Sequence, residues 1–179
     1  INTNDVIEAA STKWNFMKLN PGMVGGHCIS IDPYYLMHKS EMSGYSPNLM
    51  STARKINDEM HEWVFKDFLK NMRTKKINLA DTTVTIFGYS FKENCSDTRN
   101  TRVKNLMLLM KEHDIQLNLW DPLISDQDHN QLNGQGFETL KSTPKNVEVA
   151  FVCVNHDEII RFLNCYKGVI YDYRNATRA

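Results

Sequence analysis

The chain has 179 residues, 41% of them hydrophobic and 23% charged, enough for one large domain or two small ones with a real core. Lysine plus arginine and aspartate plus glutamate each number 21, so the formal net charge is zero; this excludes a general nucleic-acid or membrane-surface binder and confines any anion site to a local cluster. Four cysteines, Cys28, Cys95, Cys153 and Cys165, stand far apart without CxxC spacing, which excludes a secreted disulfide scaffold and makes a reducing, cytosolic setting the simplest account.

The opening stretch, INTNDVIEAAS, has no basic n-region and no apolar h-region, and no later run is long enough for a membrane span. It begins in mid-pattern, with Val6, Ile7, Ala9 and Ala10 grouped as if on a helix already under way. The expectation is an excised fragment of a soluble protein. A short helix is predicted over 3–13, with Thr3 or Asn4 near its start.

The stretch that follows, PGMVGGHCISIDPYY from Pro21 to Tyr35, is the most informative in the chain. Gly22, Gly25 and Gly26 allow backbone turns and close approach of a ligand. Asp32 followed by Pro33 reads as an N-cap and first helical residue, which places Cys28 just upstream of a helix N-terminus. A helix start and the neighbouring His27 are both settings that favour a thiolate nucleophile, and Asp32 is close enough to serve as a base. A purely structural account stays open: Cys28 as a small buried hydrophobe and Asp32 as a cap only. The His27–Cys28 adjacency adds little, because catalytic bases meet their nucleophiles in space and not in sequence.

A helix is predicted from Pro33 to about Ser43, stopped by Gly44. The next runs from Pro47 to about Arg73, with Leu49, Ala53, Ile56, Met60 and Trp63 spaced alternately by four and three. At about 26 residues it would be about 39 Å long. Such a helix either links two domains and forms a homodimer seam, or is the long core helix of one domain; the sustained apolar stripe favours the first.

Beyond Lys75, Lys76 and Asp81 the pattern changes. Strands are predicted at Thr83–Phe87, Gln116–Trp120, Val147–Val154 and Gly168–Tyr171, with helices from Val103 to Met110 and from Asp157 to Leu163. The stretch 123–146 reads as irregular around a short helix near Asp126–Leu132, and Asp121-Pro122 as a turn. Strands alternating with helices imply a parallel sheet with right-handed crossovers. The fold class is therefore α/β: a helical segment with a long linking helix over 1–78, then a Rossmann-like parallel-sheet domain over 79–179.

Such sheets bind ligands outside the carboxyl ends of their strands. The loop after the first strand, GYSFKENCSDTRN from Gly88, has one glycine and no GxGxxG, so this domain is not expected to hold NAD. Phe91 for stacking, with Lys92 and Arg99 for neutralisation, suits a phosphate-bearing ligand, and Arg174 at the end of the last strand can reach the same face. The competing account pairs Lys92 and Arg99 with Glu93 and Asp97 on a solvated loop. His27, His38, His61, His113, His129 and His156 are scattered, show no metal-ligand spacing, and read as surface or helix residues.

WNFMKLNPGMVGGHCISIDPYYL, then ARKIND, then GYSFKENCSDTRNTRV resemble the UDP-glucose/GDP-mannose dehydrogenase family, above all the bacterial UDP-N-acetylhexosamine 6-dehydrogenases of surface-polysaccharide (capsule) synthesis. The match spans nearly the whole chain in the family's order. It implies an NAD-binding Rossmann domain upstream that is missing here, then the end of the helical central domain and the C-terminal UDP-sugar-binding domain, with the long helix building a homodimer. It implies oxidation of the sugar C6 hydroxyl to a carboxylate with NAD as cofactor. Cys28 matches the nucleophile that forms a thiohemiacetal and then a thioester, and Asp32 matches the acid that helps activate water. Phe91 and Lys92 match the nucleotide-sugar contact. Arg99 and Arg174 match basic positions; Asn15, Phe16 and Asn20, with Gly22 and Gly25, match the loop that closes over the nucleotide. The family's lysine and asparagine from an upstream helix find no counterpart. Two other classes remain: a non-redox nucleotide-sugar-binding and dimerisation module, and a cysteine hydrolase using Cys28 and His27.

Overall fold

The structure, a computed structural model, describes residues 2–174. Three helices come first: α1 (Thr3–Ser11), α2 (Cys28–Met42) and α3 (Asn48–Thr74). An alternating region follows, with β1 (Val84–Phe87), α4 (Val103–Glu112), β2 (Leu117–Trp120), α5 (Asp126–Gly134), β3 (Glu138–Leu140), β4 (Val149–Val152), α6 (Asp157–Cys165) and β5 (Val169–Asp172). All five strands are parallel, in the order β3-β2-β1-β4-β5. This is the Rossmann-like sheet that the alternation predicts, with one strand, β3, that the sequence reading treats as irregular.

Both faces of the sheet are covered: the central strands β1 and β4 are buried at every position, with alternate residues facing opposite sides. Val84 and Ile86 of β1 and Val149 and Phe151 of β4 point into a core shared with Val64, Phe68 and Met72 of α3 and Leu106 and Met110 of α4. Their neighbours Phe87, Ala150 and Val152 point the other way, onto Ile159 and Leu163 of α6. Phe68 is fully buried, with its ring centroid 4.9 Å from that of Phe151 and 5.2 Å from that of Tyr171. The C-terminal part of α3 is thus a core element of the sheet domain. Its N-terminal part leaves Leu49, Ile56 and Trp63 exposed at intervals of seven residues.

Helix α2 corrects the sequence reading. It begins at Cys28, with His27 at the N-cap position, and Asp32-Pro33 lies inside it. Pro33 lacks an N–H, but its ring sits near the helix start and forfeits a single backbone bond, to the Ile29 carbonyl. Residues 28–32 supply the first turn without a side-chain cap. Cys28 is therefore the first residue of the helix, and Asp32, four residues on, lies one turn above it on the same face.

Four helices, α2, α3, α4 and α5, stop by one chemistry. At Gly44, Lys76, Asp114 and Gly136 the backbone has positive φ, and the next residue's N–H reaches back to Ser40, Met72, Met110 and Leu132 respectively, at 3.0 to 3.1 Å. This closing turn satisfies the last carbonyls and turns Tyr45, Ile77, Ile115 and Phe137 back toward the helix they follow. Among the described residues no helix is long and apolar enough to cross a membrane.

Candidate nucleotide-sugar site

The sheet order reverses between β1 and β4, which opens a crevice at their carboxyl ends. The long β1–α4 loop crosses it. Gly88, at φ +87°, has to be glycine because a Cβ there would meet Val154 Cβ at 2.5 Å. The next turn is fixed by Asp121 at the end of β2, a buried carboxylate that accepts from the Tyr89 and Ser90 amides at 2.6 and 3.0 Å and from the Leu123 amide at 2.8 Å. Burial alone would raise the pKa of Asp121; the hydrogen bond from His156 and those from the amides overcome it and hold the carboxyl below its usual range.

The Gly-rich turn docks on this loop from above. Gly26 N–H donates to the Arg99 carbonyl at 3.1 Å, and the Asn100 amide donates back to the Gly26 carbonyl at 3.2 Å. A Cβ on Gly25 would lie 2.6 Å from the Asn100 carbonyl oxygen, and one on Gly26 would press on the Phe91 ring at 3.1 Å. Gly25 is required by close backbone approach, and Gly26 by its positive φ of 95° under the Phe91 ring. Asn57 of α3 clamps the turn from the far side, accepting from Val24 N–H at 3.0 Å and donating to its carbonyl at 2.9 Å. Asp58 beside it accepts from Arg54 at 3.1 Å and also from Arg102 and Tyr34, tying α2, α3 and the start of α4 together.

Between turn and sheet lies a cleft of about 320 Å³. It brings together Asn20, Gly22, Gly25, Phe91, Lys92 and Arg174 among the residues the sequence singles out. The Lys92 ammonium sits 5.6 Å from the Phe91 ring centroid. The Arg174 guanidinium pairs with Glu93 at 2.8 Å. The floor holds Cys153 and Tyr173, and burial pushes the thiol and the phenol up. The cleft thus offers an aromatic ring, the Lys92 cation, an Arg174–Glu93 ion pair and an uncharged floor, a set suited to a base and a diphosphate.

Other expected residues fall outside it. Arg99 chelates Asp97 through Nε at 3.0 Å and Nη2 at 2.6 Å, and holds that carboxyl at about 2. The solvated-pair account is therefore right for Arg99, while Lys92 stays free of Glu93, which is engaged by Arg174. Asn15 and Phe16 are exposed after α1 and do not line the cleft. Cys28 and Asp32 are exposed on α2; Cys28 Sγ lies 3.9 Å from His27 Nδ1, and its neighbours Gly25 and Ile29 form the cleft's edge. The nucleophile candidate is at the rim and not in the floor.

The reading of the histidines as surface or helix residues fails at His156, which precedes α6, is 1% exposed and is bonded to Asp121 and Ser90; His129 is a helix residue as expected, on α5, though buried. Asp121 does more than make a turn. An acidic residue closing an apolar strand of a parallel sheet was the available signal. The helix after β1, α4, begins only at Val103, and its start lines the cleft through Thr101 and Val103, while Asp121 is engaged by backbone amides and His156.

A parallel sheet with a basic, aromatic cleft at its switch point, roofed by a glycine turn that precedes a cysteine, defines a Rossmann-like α/β domain joined to a helical segment. The chain belongs to the UDP-glucose/GDP-mannose dehydrogenase family, matching the central domain of that family over residues 1–59 and its UDP binding domain over 85–179. It is 44% identical over 183 residues to a UDP-N-acetyl-D-glucosamine 6-dehydrogenase of Pseudomonas aeruginosa, covering 97% of this chain and 43% of that protein. A Salmonella typhi protein of the same name is 36% identical, with 97% and 42% covered. The chain thus spans about two-fifths of the length of these curated relatives. In fold it is similar to a UDP-glucose dehydrogenase from Pyrobaculum islandicum, with a TM-score of 0.81 at 20% identity, covering 99% of this chain and 42% of that one.

Proposed function

We propose that the protein carrying this chain is an NAD-dependent dehydrogenase that oxidises the C6 hydroxyl of a UDP-N-acetylhexosamine, or of a UDP-hexose, to the carboxylate for surface-polysaccharide synthesis in the cytoplasm. The observation that carries the reading is the meeting of the Gly22–Gly26 turn with Phe91 and Lys92 over the switch-point cleft, with Cys28 at its rim. The names of the relatives supply the substrate class. Phe91 packs against the base or ribose, Lys92 and Arg174 neutralise the diphosphate, and Asn20 with Gly22 and Gly25 closes over it. The sugar then extends toward α2.

There the Cys28 sulfur adds to the C6 carbonyl carbon of the aldehyde-level sugar: the C–S bond forms, the carbonyl π pair moves to oxygen and that oxygen takes a proton. At the acyl level, water attacks the thioester carbon and the C–S bond breaks. Asp32, one turn along the same helix face, takes the proton of that water. NAD is the hydride acceptor in this reading, and no described residue is assigned to hold it. The exposed stripe of Leu49, Ile56 and Trp63 on α3 is proposed as the seam of a homodimer, since monomers rarely leave such a stripe open.

Calorimetric titration with UDP, UDP-N-acetylglucosamine, UDP-glucose and NAD tests the cleft. The uridine nucleotides should bind, and Lys92→Ala should weaken them about tenfold or more. Cys28→Ser in the full-length protein should leave UDP-sugar binding intact while turnover to the carboxylate falls by about a thousandfold. Uridine binding with no NAD-dependent turnover in the wild type would instead establish the non-redox binding module.

A further inference from the structure

His156 is 1% exposed and has no part in the chemistry above. It stands between β4 and α6, at the N-cap position of α6, yet its side chain makes no cap bond to that helix. Both ring nitrogens are turned instead to the β1–α4 loop. Nδ1 accepts from the Asn94 backbone N–H at 2.8 Å, which places the proton of the neutral ring on Nε2. Nε2 faces Ser90 Oγ at 3.1 Å and Asp121 Oδ2 at 3.2 Å.

One ring therefore holds both ends of the segment Ser90–Asn94. The Ser90 hydroxyl passes the restraint inward by donating to the Lys92 carbonyl at 3.0 Å. Asn94 adopts φ +53°, and its side chain pairs reciprocally with Asp157 at the start of α6, at 2.9 and 3.0 Å. The three residues spanned, Phe91, Lys92 and Glu93, all line the cleft. A flexible arch there would spread the lysine over many positions, and each restrained side chain or loop residue spares entropy on binding.

We propose that His156 is a positioning residue of the cleft: by bonding Asn94 and Ser90 at once it holds the Ser90–Asn94 arch in shape and so presents Phe91 and Lys92 to the ligand. For the identity of that ligand the inference rests on the UDP-sugar reading; the arch itself does not depend on it.

The two ring nitrogens can be tested separately in the full-length protein. An asparagine carbonyl can stand near Nδ1 and keep the acceptor for Asn94, while a glutamine amide can stand near Nε2 and keep the donor to Asp121 and Ser90. His156→Gln should bind UDP about tenfold more weakly than wild type. Hydrogen exchange of the 90–94 amides should rise about tenfold, with exchange in α4 and β4 unchanged. His156→Asn restores the Asn94 anchor but not the bond to Ser90, and should bind UDP with an affinity between those of His156→Gln and wild type even where its melting temperature is no higher than that of His156→Gln. If affinity in the two variants simply follows melting temperature, or the faster exchange spreads evenly over β4 and α6, the role is structural only and the proposal falls. Should the wild type itself not bind UDP, the nucleotide-sugar reading fails while the exchange pattern still decides the arch. If neither histidine variant folds, Ser90→Ala carries the test by exchange alone: faster exchange at 90–94 supports the arch, and no change overturns it.

Discussion

From Val64 to Tyr171 the chain buries a continuous apolar core on both faces of a sheet, whereas between Asn2 and Met60 only Gly25, Gly26, Ser30, Met37, Pro47 and Arg54 are buried. The first region is held by hydrophobic packing, and the second is seated on it by polar contacts, Gly26 on Arg99, Asn100 on Gly26 and Asp58 on Arg102, with Asn57 holding Val24 of the turn against α3. The proposed cleft lies on that seam. Lys92 and Arg174, proposed to meet the diphosphate, come from the packed side, and Cys28, the proposed nucleophile, comes from the side that is only docked. Packing resists displacement in every direction, while a few hydrogen bonds define one seat and let it open.

Substitutions should therefore act differently on the two sides. The largest loss of stability is expected for Phe68→Ala, which empties a fully buried aromatic site between Phe151 and Tyr171 at a cost of about 3–5 kcal/mol. Urea unfolding would measure it, and a loss under about 1 kcal/mol would mean that α3 is not part of the sheet's core.

Next comes Asp121→Asn, expected to cost about 2 kcal/mol at neutral pH by turning an amide donor toward backbone N–H groups. The pH dependence carries the sign. Because the folded-state carboxyl lies below its usual range, its contribution is present above the unfolded value of about 3.9 and is lost as pH falls through the folded value. The gap in stability between wild type and Asp121→Asn should thus narrow on acidification below about pH 4. A gap that is constant with pH would show that the Asp121 charge contributes nothing.

Asp58→Ala tests the seam directly. It leaves the Arg54 and Arg102 guanidiniums facing each other without their shared carboxylate. Asp58 is about a third exposed, so the cost is set at about 1–2 kcal/mol and not at the value of a fully buried pair. Exchange should quicken in α2 and the 20–28 turn, leaving the sheet amides unmoved. Equal quickening in both regions would remove the distinction drawn here.

The sheet was legible because its strands are short apolar runs separated by amphipathic helices, and burial on both faces makes that signal strong. β3 escaped because Glu138–Leu140 is a three-residue edge strand without an apolar run. The start of α2 was misjudged because Asp-Pro is a good local cap signal, and nothing local reveals that Cys28 to Asp32 can begin the helix five residues earlier. In the site, Gly22, Gly25, Phe91, Lys92 and Arg174 could be named from types and order alone. His156 could not: its partners Asn94 and Asp121 lie 62 and 35 residues away, and only the crossover of the sheet brings them together. Arg99 carried the right charge in the right loop, but Asp97 two residues before it takes the guanidinium for itself.

The smallest effect on stability, and the sharpest on the seam, is expected from Asn57→Ala. Its side chain makes two bonds to Val24 in an exposed setting where water can replace them, so the cost to folding is under about 1 kcal/mol and the melting temperature moves by no more than about 2–4 °C. Val24 nonetheless sits beside the two glycines that roof the cleft, and releasing it lets the turn lift while the sheet stays folded. UDP-sugar affinity should fall by about three- to tenfold against that nearly constant melting temperature. An affinity equal to wild type would show that the docking to Arg99 and Asn100 alone seats the turn. The seam would then be narrower than proposed, confined to the contacts between the glycines and the β1–α4 loop.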